Sequence, residues 1–157
     1  MIVIGYQGIG KSTLAGKNNC IDLESGNFWI DGDRDPNWYK PYCQIAIHLH
    51  RQGYIVFTSS HEVVREYLKE ILSNGDWNCT FVCYPEIHLK KAWQNKLWER
   101  WQHSNLDKDW KAWINADQRF DENIKELSNS GFKKITIETM QYDLLEEIQQ
   151  AIFRCND

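Results

Sequence analysis

The sequence predicts an α/β fold in which a parallel sheet is covered by helices on both faces. Three observations lead there. Short apolar, β-branched runs recur along the chain, each followed by a stretch of helical periodicity. The first run, Met1 to Ile4, turns at once through Gly5, Gly8 and Gly10 into Lys11-Ser12-Thr13-Leu14, a strand–loop–helix unit. No repeat or low-complexity linker interrupts the 157 residues, so a single domain over 1–157 suffices to enclose the sheet.

The elements follow in order. The first helix is short, because Gly16 and the Lys17-Asn18-Asn19 run continue a helix poorly. A brief second strand, Cys20–Leu23, leads into Glu24-Ser25-Gly26. Asp22 and Glu24 therefore stand at the carboxyl edge of a parallel strand, where ligands bind in open α/β sheets. Residues Asn27–Asn37, rich in Gly, Asp and aromatics, read as an irregular substrate-facing loop. A helix is expected from about Asp35, with Pro36 in its first turn and Pro41 disturbing its early part, to Gly53. Tyr54–Phe57 forms the third strand, Ser60 caps a helix over His61–Leu72, and Asn74-Gly75 stops it. Asn78–Tyr84 supplies the fourth strand, with Cys79 and Cys83 on one core face. Two helical stretches, Glu86–Trp101 and Leu106–Leu127, flank a polar break at His103-Ser104-Asn105 and are long for a simple crossover. Phe132–Ile137 is the fifth strand, and Tyr142–Phe153 a closing amphipathic helix. Such alternation predicts right-handed parallel crossovers.

A net charge of −4 argues against a general nucleic-acid coat, so no extended nucleic acid is expected as partner. The first strand starts at Met1, leaving no room for a signal peptide, and no apolar run approaches ~20 residues. The expectation is a soluble, cytoplasmic monomer or homodimer without membrane contact. Five cysteines, at 20, 43, 79, 83 and 155, lack the paired short spacings of a zinc site and read as reduced thiols.

The spacing Gly5-x4-Gly10-Lys11-Ser12 is a complete Walker A motif. Each residue type has a physical task. The glycines permit positive φ and close backbone approach, so that the loop N–H groups and the helix N-terminus face one anion. The Lys11 ammonium reaches β- and γ-phosphates, the Ser12 hydroxyl holds Mg²⁺, and Thr13 adds an α-phosphate contact. The motif thus predicts Mg-ATP binding through Gly8, Ile9, Gly10, Lys11, Ser12 and Thr13.

With that motif and its order of elements, essentially the whole chain resembles the small P-loop kinases. That group holds the nucleoside monophosphate, shikimate and gluconate kinases, and the chain also resembles phage and bacterial nucleotide kinases. The resemblance implies a three-layer P-loop NTPase fold with a five-stranded parallel sheet of order 2-3-1-4-5. It further implies an acceptor-binding insertion at about 24–52 and a helical lid at about 86–118. On the lid it singles out Arg100 first, Arg119 second and Lys96 third as cations that stabilise transfer. Arg65, soon after the third strand, and Arg34, in the insertion, would grip an acceptor phosphate bidentately. The alternative for Arg100, Arg119 and Lys96 is a solvated helix-face charge.

The departures from that group are informative. The usual Asp-Gly-x-Pro-Arg after the third strand is replaced by Thr58-Ser59-Ser60-His61. Asp22 then becomes the candidate to hold the magnesium waters, together with Ser12. Asp22-Leu23-Glu24 resembles the Asp-x-Asp pair of shikimate kinase, which favours a hydroxyl acceptor with Glu24 taking its proton. A nucleotide's terminal phosphate needs no such base, and acids also commonly only order turns. Phe28, Trp29, Trp38 and Tyr39 are placed to stack on an acceptor base and favour a nucleotide. Trp93, Trp98, Trp101, Trp110 and Trp113 have the spacing of helix–helix packing, and His61 reads as a capping or packing residue. The leading expectation is ATP-dependent phosphotransfer to a nucleoside or deoxynucleoside monophosphate. Lys11, Glu24, Arg100 and Arg119 would take part in the reaction, and Asp22, Arg34, Trp38 and Arg65 would bind the acceptor. A kinase of a hydroxyl acceptor (nucleoside, polynucleotide 5′-OH or sugar acid) and a nucleotide-binding regulatory ATPase are the alternatives.

Overall fold

The computed structural model describes residues 1–156, with side chains through Arg154. Five strands, β1 (Ile2–Gly5), β2 (Cys20–Asp22), β3 (Ile55–Ser59), β4 (Thr80–Pro85) and β5 (Lys133–Ile137), form one sheet in the order 2-3-1-4-5. All four pairings are parallel. Seven helices accompany them: α1 (Lys11–Leu14), α2 (Tyr39–Arg51), α3 (Glu62–Ile71), α4 (Asn74–Asn78), α5 (Lys90–Ser104), α6 (Asp107–Ser128) and α7 (Leu144–Asn156). The architecture is the α/β one expected, and its strand order is that of P-loop NTPase-like folds.

The central strand explains the arrangement. Ile2, Val3 and Ile4 are fully buried, as a strand covered on both faces requires. In register, Gly5 lies level with Ser59 of β3 and Cys83 of β4, and Asp22 of β2 lies opposite Phe57. The chain segments that leave β1, β2 and β3 therefore emerge at one edge of the sheet. Around the strands the core gathers Tyr6, Tyr42, Phe57, Trp93 and Phe120, each of which stabilises the fold by about 1.5–3 kcal/mol through burial.

Several local expectations are corrected. The helix expected from Asp35 starts at Tyr39, because Asp35 closes a turn of its own: its carboxylate accepts from Asn37 N–H at 2.7 Å and its carbonyl from Trp38 N–H at 2.9 Å. Pro41 then falls in the first turn of α2, where a missing N–H is harmless. Ser60 caps nothing; the N–H groups of Val64 and Arg65 bond the carbonyl of His61, which is the true N-cap of α3. Asn74-Gly75 does not stop a helix but begins α4, whose N-cap Ser73 accepts from Asp76 N–H at 3.2 Å. Cys79 precedes β4 and is exposed, whereas Cys83 is buried inside it, so the two do not share a core face. The four described cysteines are free thiols as expected, and the Cys155 side chain lies outside the described residues.

Between α5 and α6 the polar break is a turn in which Asn105 takes a left-handed conformation (φ 52°), one that asparagine tolerates, while its N–H bonds Trp101 O at 2.8 Å. Four of the five tryptophans of this hairpin, Trp98, Trp101, Trp110 and Trp113, cluster at 4.5–6.2 Å between ring centroids. They pack the two helices together, as their spacing suggested. Among the described residues no helix is long and apolar enough to cross a membrane.

Candidate functional site

The Gly5–Ser12 loop stands at the carboxyl edge of β1. Gly8 and Gly10 take φ of 85° and 104°, values that L side chains rarely adopt. A Cβ on Gly8 would also meet Leu97 Cδ2 at 2.9 Å and Trp93 Nε1 at 3.2 Å. Glycine is thus required there twice, by conformation and by the approach of α5. The Lys11 ammonium curls back to the Gly5 carbonyl at 3.1 Å. Burial pulls its pKa below the ordinary value, against the opposing pull of Asp22 and Glu24. Asp22 shows the reciprocal behaviour, with burial raising its pKa and Lys11 lowering it. The Ser12 and Thr13 side chains are exposed and carry no hydrogen bond among the described residues.

The loop is clasped from above by the α5–α6 hairpin. The Trp93 indole donates to Gln7 O at 2.9 Å, and the Gln7 amide donates to Ala112 O at 2.8 Å and to Asn115 Oδ1 at 3.0 Å. One loop residue is therefore tied to both helices of the hairpin. A third tie comes from the segment after β5, where the Tyr142 hydroxyl donates to Ile9 O at 2.9 Å. The base of the expected lid is anchored on the loop that it covers.

A single open cleft of about 1170 Å³ runs from this loop past the ends of β2 and β3 to the hairpin. Of the site residues expected from sequence it brings together Gly8, Gly10, Lys11, Ser12, Thr13, Asp22, Glu24, Arg34, Arg65, Lys96, Arg100 and Arg119. Ile9 and Trp38 do not line it. Ile9 is buried beneath the loop, its side chain filling the space beside Gly5. Trp38 is buried too, edge-on to Tyr42 and His61, and its exposed contribution is indirect: the Arg34 guanidinium lies 4.0 Å over its ring and 4.7 Å over that of Trp29.

The cations of the cleft are not equivalent. Arg65 is almost completely buried and spends its N–H groups on Ser60 O (3.1 Å), Glu126 O (3.5 Å) and the Glu126 carboxylate (3.0 Å). The Arg100 Nε donates to Asp109 at 2.6 Å, and Asp109 is itself buried and bonded by Ser104. Arg119 sits at a kink in α6 (φ −134°, ψ 17°) and pairs with Glu122 at 2.9 Å and Glu126 at 3.7 Å. Lys111 pairs with Asp107 at 2.7 Å, and Lys108 reaches Glu24 at 3.8 Å. Lys11, Arg34 and Lys96 have no carboxylate within 4.0 Å among the described residues. An anionic ligand meets its least committed partners at these three positions.

Three contributors escaped sequence reasoning. Tyr142 lies five residues beyond β5, on the ligand-binding edge of a parallel sheet, and that position was the available signal. Gln7 occupies a variable position of the Walker motif. Tyr42, in α2, bonds Leu23 O and Ser59 N–H at the ends of β2 and β3. His61, read as a capping or packing residue, is both: it is the backbone N-cap of α3, packs against Trp38 and bonds Ser59 Oγ through Nδ1 at 2.9 Å. No three His, Cys, Asp or Glu side chains among the described residues form a metal cage. Ser12 and Asp22, a hydroxyl and a carboxylate of the kind that hard cations accept as donors, both line the cleft. The chain matches no protein-family model, no curated protein and no solved structure.

Proposed function

We propose that the protein is a Mg-ATP-dependent phosphotransferase whose acceptor is a nucleoside or deoxynucleoside monophosphate. The observation that carries this reading is the distribution of uncommitted charge. The Walker A loop, with Lys11 beside it, faces the same cleft as Arg34, a guanidinium that lies over two indoles and has no carboxylate within 4.0 Å among the described residues. A cleft with a polyphosphate cradle and a separate free guanidinium suits a donor and an anionic acceptor together.

In this reading Gly8, Gly10, Ser12 and Thr13 hold the donor phosphates and Lys11 neutralises charge as the γ-phosphoryl group moves. An acceptor phosphate oxygen forms the new P–O bond while the bond to the ADP oxygen breaks. The attacking oxygen is already ionised, so no base is needed. Bound Mg²⁺ would add charge neutralisation between the donor phosphates. Arg34 orients the acceptor, Arg65 braces the wall behind it, and Arg100 and Arg119 add positive potential from paired positions. A second reading, a hydroxyl acceptor deprotonated by Glu24, draws support from the place of Glu24 and Asp22 in the same cleft. Against it, Lys108 stands 3.8 Å from Glu24, so that carboxylate already has a cation as neighbour.

The experiment is ATP consumption against a panel of ribo- and deoxynucleoside monophosphates, with nucleosides, a 5′-hydroxyl oligonucleotide, gluconate and shikimate alongside, and products identified by mass. A diphosphate product supports the proposal and names the base. Product from an alcohol alone replaces it with the second reading. ATP hydrolysis without a phosphorylated product refutes both and points to a regulatory ATPase.

A further inference from the structure

We propose that Lys96, set in place by Tyr142, is the second cation of the donor-phosphate site and supplies the hairpin's charge to a di- or triphosphate on the Gly5–Ser12 loop in place of Arg100. The proposal rests on the triphosphate-binding reading above and assigns residues within it.

Lys96 lies on α5 and lines the cleft with the loop. Its ammonium is 4.4 Å from the centroid of the Trp93 ring and 5.1 Å from that of Tyr142, two rings stacked within 19° of parallel. Both rings are fastened to the loop, Trp93 through Gln7 O and Tyr142 through Ile9 O, each at 2.9 Å. The aromatic pair that grips the loop thus also carries the ammonium. Any ligand seated on the loop meets the lysine at a fixed place.

The ammonium is also incompletely served. It has three donors, and its one hydrogen bond among the described residues goes to the Tyr142 hydroxyl at 3.0 Å. Burial, with some help from Arg100, pulls its pKa below the ordinary lysine value. A phosphate oxygen would supply the missing charge-assisted partners. Arg100 differs in this respect. Its guanidinium already bonds Asp109, and withdrawing it would strand a buried carboxylate. The hydroxyl of Tyr142 accepts from Lys96 and donates to Ile9 O, so its orientation is fixed from both sides. Tyr142 is therefore the positioning residue and Lys96 the one that touches the ligand.

The test is titration calorimetry with Mg-ATP, Mg-ADP and AMP on the full chain and on three variants, with the unliganded thermal midpoint recorded for each. Lys96→Met keeps the aliphatic stem on the rings and should weaken Mg-ATP and Mg-ADP about tenfold or more, leaving AMP within about twofold, as expected for a lost charge-assisted contact. Tyr142→Phe retains the charge and the stacked ring and should weaken the same two ligands roughly threefold to tenfold. Arg100→Gln should weaken them less than Lys96→Met does. Wild-type Mg-ATP affinity in Lys96→Met, or equal weakening of AMP, overturns the proposal while leaving the triphosphate reading intact. A wild-type protein that binds neither ATP nor ADP overturns both.

Discussion

Tyr42 is the residue whose single atom has the widest structural consequence, and its removal can be worked through. The last regular bond between β2 and β3 runs from Leu23 N–H to Phe57 O at 2.9 Å. In a continuing parallel ladder the next would run from Ser59 N–H to Leu23 O. Instead the Tyr42 hydroxyl occupies that rung, accepting from Ser59 N–H at 2.8 Å and donating to Leu23 O at 2.5 Å. The ring, fully buried, acts as a wedge that parts the strand ends just where Asp22-Leu23-Glu24 and Ser59-Ser60-His61 enter the cleft. Tyr42→Phe keeps the wedge, so the two strands cannot rejoin, and leaves one N–H and one C=O without their partner.

Two lost hydrogen bonds at about 1 kcal/mol each give a destabilisation of about 2 kcal/mol. Leu23 and Ser59 are only half-buried, so water relieves part of the penalty and the larger figure for fully buried orphans does not apply. For a domain of this size the thermal midpoint should fall by roughly 4–8 °C. The assay is urea unfolding followed by far-UV dichroism, with Tyr39→Phe as control, since the Tyr39 hydroxyl makes no hydrogen bond among the described residues. A loss below about 0.5 kcal/mol in Tyr42→Phe, or an equal loss in both variants, would refute the view that the hydroxyl replaces a rung of the sheet.

Three further outcomes are expected. Gly8→Ala should cost at least about 1 kcal/mol more than Gly16→Ala in denaturant unfolding, because both positions have positive φ but only Gly8 has Leu97 and Trp93 where its Cβ would stand; equal losses would mean that α5 does not press on the loop. Arg34→Ala should raise the acceptor KM about tenfold or more with stability nearly unchanged, whereas Arg65→Ala should lower stability by roughly 2–3 kcal/mol because that guanidinium is buried and bonded to Ser60 O, Glu126 O and the Glu126 carboxylate. The reverse pattern, with Arg65 governing KM and Arg34 governing stability, would exchange their assignments. The Asp76 carboxyl is held down to about 2, first by the Arg51 hydrogen bond and then by Ser73 and nearby positive charge, so its contribution to stability is present above about pH 4 and lost as pH falls towards 2. Arg51 is largely exposed, so solvent screening discounts that contribution. The unfolding free energies of Asp76→Asn and wild type should therefore differ at pH 5 and converge near pH 2, and a gap that ignores pH would contradict this.

What was legible in the sequence follows the range of the forces involved. Ile2-Val3-Ile4 announces a strand buried on both faces, and Gly5, Gly8 and Gly10 announce the turn after it, because run and spacing are contiguous in the chain. The strand order came from resemblance and is matched by the sheet. Ser60 illustrates the opposite case. It has the chemistry of a cap, yet its carbonyl accepts from Arg65, whose guanidinium also bonds Glu126 of α6, and the helix is capped one residue later by His61. Asn74-Gly75 likewise has breaker chemistry, but Ser73 one position earlier caps a new turn and takes precedence. A residue's own preference therefore decides an element only where neither an adjacent cap nor a distant partner engages the same turn.

The same argument separates the charges of the cleft. In sequence Arg34, Arg65, Lys96, Arg100 and Arg119 are alike, each a cation in a segment suited to a ligand. What distinguishes them is whether an acid stands opposite, and every such acid is remote or on another turn: Glu126 for Arg65, Asp109 for Arg100, Glu122 for Arg119. A paired guanidinium gives up an existing partner before it binds a phosphate, whereas an unpaired one gains a partner. The resemblance ranked Arg100 above Lys96 on the lid. In this fold the arginine is engaged by a carboxylate and the lysine only by a neutral hydroxyl and two rings, and on that difference in prior commitment the proposal for Lys96 stands.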